Sequence, residues 1–178
     1  MTEKSLFAGF GGQGIISLGQ IWVYCAMEGG KNVTFFPFYG AEKRGGIARA
    51  SVIVSDGEIA SPLVTASDSV LVMNGDSLPL CEGMLKSGGL MVINSTLVRD
   101  EPKRTDIRVV KVEAQAIAEK IGNARIANMV ALGALAKLTG ALDIDGIETI
   151  LKKFFPPDKQ QLVPLNGEAI RAGYDVCG

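Results

Sequence analysis

The stretch SLFAGFGGQGIISLGQIWVYCAMEGGKNVTFF, residues 5–36, decides the fold. It begins with a short apolar strand at 5–8. Apolar residues then recur at helical spacing over 15–27, and Gly29-Gly30 is a typical helix end. The β-branched and aromatic run at 32–36 predicts a second strand. The stretch is therefore predicted to form a strand–helix–strand unit whose two strands run parallel.

Two turn signals shape the middle of the chain. Asp56-Gly57 follows the apolar strand 47–54 and is typical of a two-residue hairpin turn, so 58–60 is expected to return as a strand. The apolar run 69–73 predicts a strand in the centre of a sheet. The helix after it is expected to reach about Lys86, with Gly88-Gly89 closing it. Two more strands are predicted at 90–94 and 108–112.

The pattern changes to helices at Ala114. Glu148 stands three residues after Asp145, which predicts a capping box at the start of one of these helices. We expect one α/β domain over 1–178, with a sheet core in 1–112 and a helical part in 113–178 packed on it. The predicted class is a Rossmann-like layered fold with a mostly parallel, mixed sheet, a β-hairpin insertion and a helical C-terminal part.

Composition restricts the classes of function. The net charge is −1 and no block of lysine and arginine stands out, which argues against nucleic acid or an anionic membrane as a partner. The sequence has no histidine, so a Ser-His or Cys-His nucleophile cannot form within it, and Cys25, Cys81 and Cys177 show no metal-ligand spacing. The N-terminus has no signal pattern, which predicts a cytoplasmic protein. The hydrophobic fraction of 47% predicts burial against other subunits, with a well-filled core as the alternative.

The segment GFGGQG, Gly9–Gly14, has the G-x-G-x-x-G spacing between a strand and a helix. Glycines permit a tight turn and let backbone N–H groups approach a phosphate at the positive end of the helix. A dinucleotide site also needs an acidic residue at the tip of the second strand, where this sequence has Pro37-Phe38. The turn therefore favours backbone contacts to an anion or a partner. A dinucleotide-dependent dehydrogenase, a scaffold with a vestigial glycine loop and a purely structural turn stay open as alternatives.

The segment YGAEKRGG, residues 39–46, follows the second predicted strand. It is expected at the same edge of the sheet as the glycine turn, where ligands of open α/β sheets bind. Arg44 is suited to grip a phosphate or a carboxylate through two hydrogen bonds. Glu42 could instead hold Arg44 in a structural pair, and an ordinary charged loop is the simpler alternative.

These two segments together resemble the gamma subunit of 2-oxoacid:ferredoxin oxidoreductases and the matching internal domain of single-chain pyruvate:ferredoxin oxidoreductases. The resemblance continues at 51–55, at 59–62 and in the pattern G-x-x-R-x-x-N-M-V-x-L-G at 122–133, so it covers nearly the whole chain. It implies a subunit of an enzyme that converts a 2-oxoacid and coenzyme A to acyl-CoA and carbon dioxide while ferredoxin is reduced.

The resemblance also implies where the chemistry takes place. Thiamine diphosphate, Mg²⁺ and iron–sulfur clusters would lie on partner alpha, beta and ferredoxin-like delta subunits. This chain would carry no catalytic residue, bind no cofactor alone and contact coenzyme A, with self-association when isolated. The resemblance is greatest to the 2-oxoglutarate type, while pyruvate and 2-oxoisovalerate types and the beta subunit of indolepyruvate oxidoreductases stay open.

The resemblance implies one contact surface facing coenzyme A and the thiamine-bearing subunits. Gln13 would hydrogen-bond across it, Arg44 would pair with a phosphate or a partner carboxylate, and Asn128 would complete it. The residues of this surface are Gly11, Gly12, Gln13, Gly14, Tyr39, Gly40, Glu42, Arg44, Gly45, Gly46 and Asn128.

Overall fold

A six-stranded mixed sheet runs through the molecule. The computed structural model describes residues 1–39 and 46–178. The strands of these residues are β1 Thr2–Phe10, β2 Asn32–Tyr39, β3 Ile47–Ser55, β4 Ser67–Val72, β5 Leu85–Asn94 and β6 Arg108–Val112. Their order across the sheet is β2-β3-β1-β4-β5-β6.

The direction of the strands confirms a mixed, mostly parallel sheet. β3 runs antiparallel to both of its neighbours, β2 and β1, whereas β1, β4, β5 and β6 pair in parallel. β1 and β2 therefore point in the same direction, as the sequence predicts, and both end at the same edge of the sheet. The sequence pattern does not indicate that β3 lies between them.

Helices cover both faces of the sheet. They are α1 Ile15–Glu28, α2 Leu78–Met84, α3 Ala114–Ile121, α4 Ala127–Thr139, α5 Ile147–Phe154 and α6 Val163–Asp175, with 3₁₀ turns at Gly75–Ser77, Ala124–Ile126 and Pro157–Leu162. α1 and α3 to α6 form the larger core with one face of the sheet, in which Phe7, Trp22 and Leu132 are fully buried. α2 packs on the other face, in a smaller core that contains Leu6 and Met91.

α4 and α6 cross with their backbones in contact. A Cβ atom on Gly133 would overlap the carbonyl group of Ile170, and one on Gly173 would overlap the carbonyl group of Val130. Glycine is needed at both positions because each helix occupies the space that a side chain on the other would take. This crossing fixes α6 against α4, the helix that carries Asn128.

The hairpin predicted at Asp56-Gly57 is wrong. Residues 58–60 form no strand, because both sides of β3 are already paired and no free edge is left for a returning strand. The antiparallel pair β2–β3 is the hairpin-like part of this sheet. Asp56 instead pairs with Lys31 and with the N-terminal ammonium group, and these hydrogen bonds lower the pKa of its carboxyl group to about 2.

The helix predicted to reach about Lys86, with Gly88-Gly89 closing it, is shorter than expected. α2 ends at Met84, and both glycines lie inside β5. Leu85, the first residue of β5, pairs with Ser67 of β4 and is buried in the smaller core. This pairing and burial favour the strand over a longer helix.

The capping box predicted for Asp145 and Glu148 is also wrong. Gly146 is the residue that precedes α5, and no side chain among the described residues caps this helix. The carboxylate of Glu148 accepts hydrogen bonds from the guanidinium of Arg171 on α6 instead, with Nη2 at 2.6 Å from Oε2. These hydrogen bonds lower the pKa of Glu148.

Candidate functional site

The glycine turn joins β1 to α1 and is held by backbone hydrogen bonds. The N–H of Gln13 donates to the carbonyl of Phe10 at 3.1 Å, and the N–H of Leu18 donates to the carbonyl of Gly14 at 2.9 Å. Gly14 has a φ of +71°, a left-handed conformation that favours glycine. The predicted sequence of strand, glycine turn and helix is confirmed.

The side chain of Gln13 bonds within the chain. Its Oε1 accepts the N–H of Phe10 at 2.7 Å, and its Nε2 donates to the carbonyl of Met73 at 3.1 Å. Met73 follows β4 directly, so this amide ties the end of β1 to the end of β4. A Cβ atom on Gly9 would lie 2.6 Å from Oε1 of Gln13, so the small residue at Gly9 makes room for this amide.

Asn128 lies against the glycine turn, although 114 residues separate it from Gly14. Its Nδ2 donates to the carbonyl of Gly14 at 3.4 Å, and its Oδ1 accepts the N–H of Met129 at 3.0 Å. The side chain is only 7% exposed. A Cβ atom on Gly14 would overlap Nδ2, so the turn and the start of α4 fit each other only with glycine at this position.

The two segments that the sequence places at one edge meet there. The N–H of Gly11 donates to the carbonyl of Gly46 at 3.2 Å. Tyr39, the last residue of β2, lies opposite Ala48 of β3, and it is 65% exposed. The other predicted site residues of this segment, Gly40, Glu42, Arg44 and Gly45, lie outside the described residues.

The first turn of α1 presents unsatisfied backbone donors. The N–H groups of Ile15, Ile16 and Ser17 have no partner within the helix, as at the start of any helix. Among the described residues no side chain caps this end and no acidic residue stands in its first turn. The positive end of the helix therefore faces an edge where Gly11 and Gly12 are exposed, which suits an anionic group.

A cavity of about 290 Å³ lies beside this helix end and is lined by Gly14 and Asn128. The exposed Arg125 also lines it, together with two phenylalanines from the end of α5. Asn166 of α6 contributes an amide that is 6% exposed: its Nδ2 donates to the carbonyl of Leu162 at 2.7 Å, and its Oδ1 has no hydrogen-bond partner among the described residues. The lining thus combines an arginine, two asparagines, and Gly14 and Ser17 at the start of α1.

Sequence reasoning misses most of this cavity. Arg125 belongs to the motif at 122–133 but receives no role from it, and Asn166 belongs to no motif. Asn166 reaches the cavity through the packing of α6 on α4, which no local pattern encodes. The one usable signal is the spacing of three between Arg125 and Asn128, which places both at the start of one helical segment.

The described thiols and acids do not form a reactive cluster. Burial raises the pKa of Cys25 and Cys81 to about 12, so both thiols are protonated at neutral pH. Within 1–39 and 46–178, no group of three or more histidine, cysteine, aspartate and glutamate side chains is placed to hold a metal ion. In the same residues, no helix combines the length and the apolar character that a bilayer crossing requires.

The position of β3 separates the glycine turn from the end of β2. In a dinucleotide-binding unit the second strand, which carries the acidic residue, lies next to the first strand. Here Phe10 at the end of β1 lies opposite Ile47 of β3, and Tyr39 at the end of β2 lies one strand further away. This arrangement disfavours the dinucleotide alternative.

Similarity to known proteins covers almost the whole chain. Residues 4–176 match the family described as pyruvate ferredoxin/flavodoxin oxidoreductase. The 2-oxoglutarate synthase subunit KorC of Methanothermobacter marburgensis is 33% identical over 99% of this chain and 97% of its own length. The ketoisovalerate oxidoreductase subunit VorA of the same organism is 33% identical over 94% of this chain, and this chain spans only 35% of its length.

Solved structures show the same fold. The gamma subunit of a keto/oxoacid ferredoxin oxidoreductase from Geobacter sulfurreducens has a TM-score of 0.84 at 29% identity and covers 98% of both chains. A 2-oxoglutarate:ferredoxin oxidoreductase from Magnetococcus marinus, solved with 2-oxoglutarate, coenzyme A and succinyl-CoA bound, has a TM-score of 0.88 at 25% identity over 99% of this chain and 31% of that one. With its sequence matched from residue 4 to residue 176, the chain belongs to the pyruvate ferredoxin/flavodoxin oxidoreductase family.

Proposed function

We propose that this chain is the gamma subunit of a 2-oxoacid:ferredoxin oxidoreductase. Such an enzyme converts a 2-oxoacid and coenzyme A to acyl-CoA and carbon dioxide and reduces ferredoxin. The observation that carries the proposal is the edge where Gly11 meets Gly46 and Gly14 meets Asn128, beside the uncapped start of α1. The match to KorC over nearly the full length of both chains supports a separate subunit of this kind.

The role proposed for this chain is to complete a site for coenzyme A. Thiamine diphosphate, Mg²⁺ and iron–sulfur clusters, which supply the decarboxylation and electron-transfer chemistry, would be held by the alpha, beta and delta chains. The phosphate groups of coenzyme A are anionic, and the backbone donors of α1 with the guanidinium groups of Arg125 and Arg44 are suited to bind them. The free Oδ1 of Asn166 would accept a hydrogen bond from an N–H or O–H group of the same ligand.

We infer that 2-oxoglutarate is the substrate of the complex. KorC, named as a subunit of 2-oxoglutarate synthase, supports this choice. The pyruvate synthase subunit PorC of Methanothermobacter thermautotrophicus is 32% identical over 95% of this chain, so pyruvate is the natural comparison. Initial rates of the purified complex with 2-oxoglutarate, pyruvate, 2-oxoisovalerate and indolepyruvate test the inference. A higher kcat/KM for any of the last three overturns it.

Arginine variants of the assembled complex test the contact with coenzyme A. Arg44→Ala and Arg125→Ala should each raise the KM for coenzyme A about tenfold, the effect of losing roughly 1.4 kcal/mol of binding, with normal assembly. Arg108→Ala removes an exposed arginine at the start of β6, at the opposite edge of the sheet, and should leave the KM unchanged. If both site variants keep the wild-type KM, the coenzyme A role is wrong. Tight binding of NADH to the isolated chain would overturn the proposed function itself.

A further inference from the structure

Aromatic side chains project from the face of β2 that α1 does not cover. The ring of Phe35 lies against α1, and side chains alternate along a strand, so Phe36 and Phe38 point to the opposite face. Phe36 is 47% exposed, Phe38 is 44% exposed, and Leu63, from the segment after β3, is 60% exposed. We refer to Phe36, Phe38, Leu63 and Arg49 as the aromatic patch.

Arg49 supplies the charge of the aromatic patch. It lies opposite Phe38 in the register of β2 and β3, and its guanidinium carbon is 4.2 Å from the centroid of the Phe38 ring. A cavity of about 150 Å³ lies between Arg49 and Leu63. Arg49 forms no ion pair with any of the described residues. A guanidinium stacked on a ring keeps its edge N–H groups available for a carboxylate.

Among the helices of residues 1–39 and 46–178, none packs over β2 and β3 on this face, and only Met84 at the end of α2 reaches the cavity. The smaller core under α2 contains residues of β1, β4 and β5 but none of β2 or β3. Exposed phenylalanine and arginine side chains are typical of the buried centres of protein interfaces rather than of free surfaces. The aromatic patch therefore has the composition of a contact surface.

Pro37 indicates that the face of β2, and not its edge, makes the contact. It lies opposite Ala50 in an edge strand of the sheet. Proline has no N–H to donate, and a proline in an edge strand opposes the addition of another strand. A partner would accordingly be held by the side chains of the aromatic patch.

The lengths of the relatives indicate what covers the aromatic patch. This chain spans 35% of VorA from Methanothermobacter marburgensis and 31% of the chain from Magnetococcus marinus, but 97% of KorC. In the longer relatives the same fold is tied covalently to a further part of the polypeptide. If the chain acts as the separate gamma subunit of the proposed function, it would hold the equivalent part through a surface, because contacts between domains of one chain resemble contacts between proteins.

We propose that the aromatic patch docks the partner chain that corresponds to the remaining part of those longer relatives. The partner presents apolar side chains to Phe36, Phe38 and Leu63 and one carboxylate to Arg49. The inference rests on the proposed function, because it requires an oxidoreductase of several chains.

The test uses the complex purified from its host through a tag on this chain, with the partner identified by its mass and sequence. The double variant Phe36→Glu/Leu63→Glu should bind that partner about 30-fold more weakly, as expected for loss of an interface hot spot. Arg49→Glu should weaken binding in the same way, and Arg49→Lys should retain most of it. Met27→Glu is the matched control, since Met27 is 56% exposed but belongs to α1 on the other face.

Circular dichroism of each isolated variant establishes that it is folded. Unchanged affinity of a folded Phe36→Glu/Leu63→Glu variant for the partner overturns the inference. Loss of a homodimer with normal binding of the partner also overturns it, because a second copy of this chain would then cover the aromatic patch. Failure of the wild-type complex to form acyl-CoA from any 2-oxoacid would refute the proposed function, whereas the affinities alone decide the role of the aromatic patch.

Discussion

Gly14→Ala tests the fit between the glycine turn and Asn128. The φ of +71° at Gly14 costs an L-residue about 1–2 kcal/mol. The added Cβ atom would overlap Nδ2 of Asn128, so this amide, only 7% exposed, must move and lose its hydrogen bond to the carbonyl of Gly14. A buried donor without a partner costs about 1–3 kcal/mol. The free energy of unfolding should therefore fall by about 2–5 kcal/mol in total.

Gly146→Ala is the matched control for this prediction. Gly146 precedes α5 as Gly14 precedes α1, its φ is +74°, and nothing lies within 4 Å of an added Cβ atom. Gly146→Ala should therefore lower the free energy of unfolding only by the cost of its backbone conformation, about 1–2 kcal/mol. In the double variant Gly14→Ala/Asn128→Ala the overlap is absent. Its loss in the free energy of unfolding should therefore be about 1–3 kcal/mol smaller than the losses of Gly14→Ala and Asn128→Ala added together.

Equilibrium unfolding in urea, followed by circular dichroism, measures all four variants. The prediction requires a larger loss for Gly14→Ala than for Gly146→Ala and a clear departure from additivity in the double variant. Equal losses with additive effects would show that Asn128 does not contact the turn, and the assembly of the site from the start of α4 would be refuted.

Three further substitutions should change the stability of the fold in a direction that the structure predicts. Burial raises the pKa of Glu3, so its charged form opposes folding. Glu3→Gln, which keeps an acceptor for the Oγ of Ser69, should raise Tm at pH 7, with a gain that shrinks as the pH falls below the raised pKa and is gone below the ordinary value of 4.5. Asp56→Asn should lower Tm at pH 7 but not near pH 2, because a carboxyl group whose pKa falls from 3.8 to about 2 stabilises the fold above pH 4 and loses this effect between pH 4 and 2. Gly133→Ala should lower the free energy of unfolding in urea by about 1–3 kcal/mol, because its Cβ atom overlaps the carbonyl of Ile170.

Each of these predictions has a control variant or a result that would contradict it. Glu58→Gln alters an exposed acid and should leave Tm unchanged, and an equal gain there would remove burial as the reason for the effect at Glu3. For Asp56→Asn, a loss of Tm that persists at pH 2 contradicts the charge-based reasoning. Gly83→Ala lies within α2 with nothing near an added Cβ atom and should be neutral or stabilising; the same response at Gly133 would contradict the close crossing of α4 and α6.

Local periodicity predicts the elements well where the chain alone determines them. The strand Arg108–Val112 and the helix Ala114–Ile121 have the predicted bounds, because both follow a short-range pattern and Gly122 ends the helix. Strand adjacency is not local, and the wrong hairpin at Asp56-Gly57 shows this: the turn residues are suitable, but the pairing of β3 with β1 and β2 excludes a returning strand. The end predicted at Gly88-Gly89 is wrong for a similar reason, since Leu85 and Leu90 pair with Ser67 and Ser69 of β4 on either side of the two glycines.

For the candidate site, too, the sequence predicts the local features but not those that depend on packing. The glycine turn follows from its residues, and the meeting of its Gly11 with Gly46 follows from strand direction, so both are visible in the sequence. The placement of Asn128 on the turn comes from the family resemblance rather than from spacing. Asn166 is not predicted at all, because its position depends on how two helices far apart in sequence cross.

The amide of Gln13 has a consequence for how tightly this edge can bind. It fastens the turn to the ends of both β1 and β4 through its own oxygen and nitrogen, so the turn has its final shape in the isolated chain. A loop that becomes ordered only on binding loses about 1–2 kcal/mol of affinity for each residue fixed. At Gly9–Gly14 that ordering is complete when the chain folds, and the full interaction energy of an incoming phosphate or subunit is available for association.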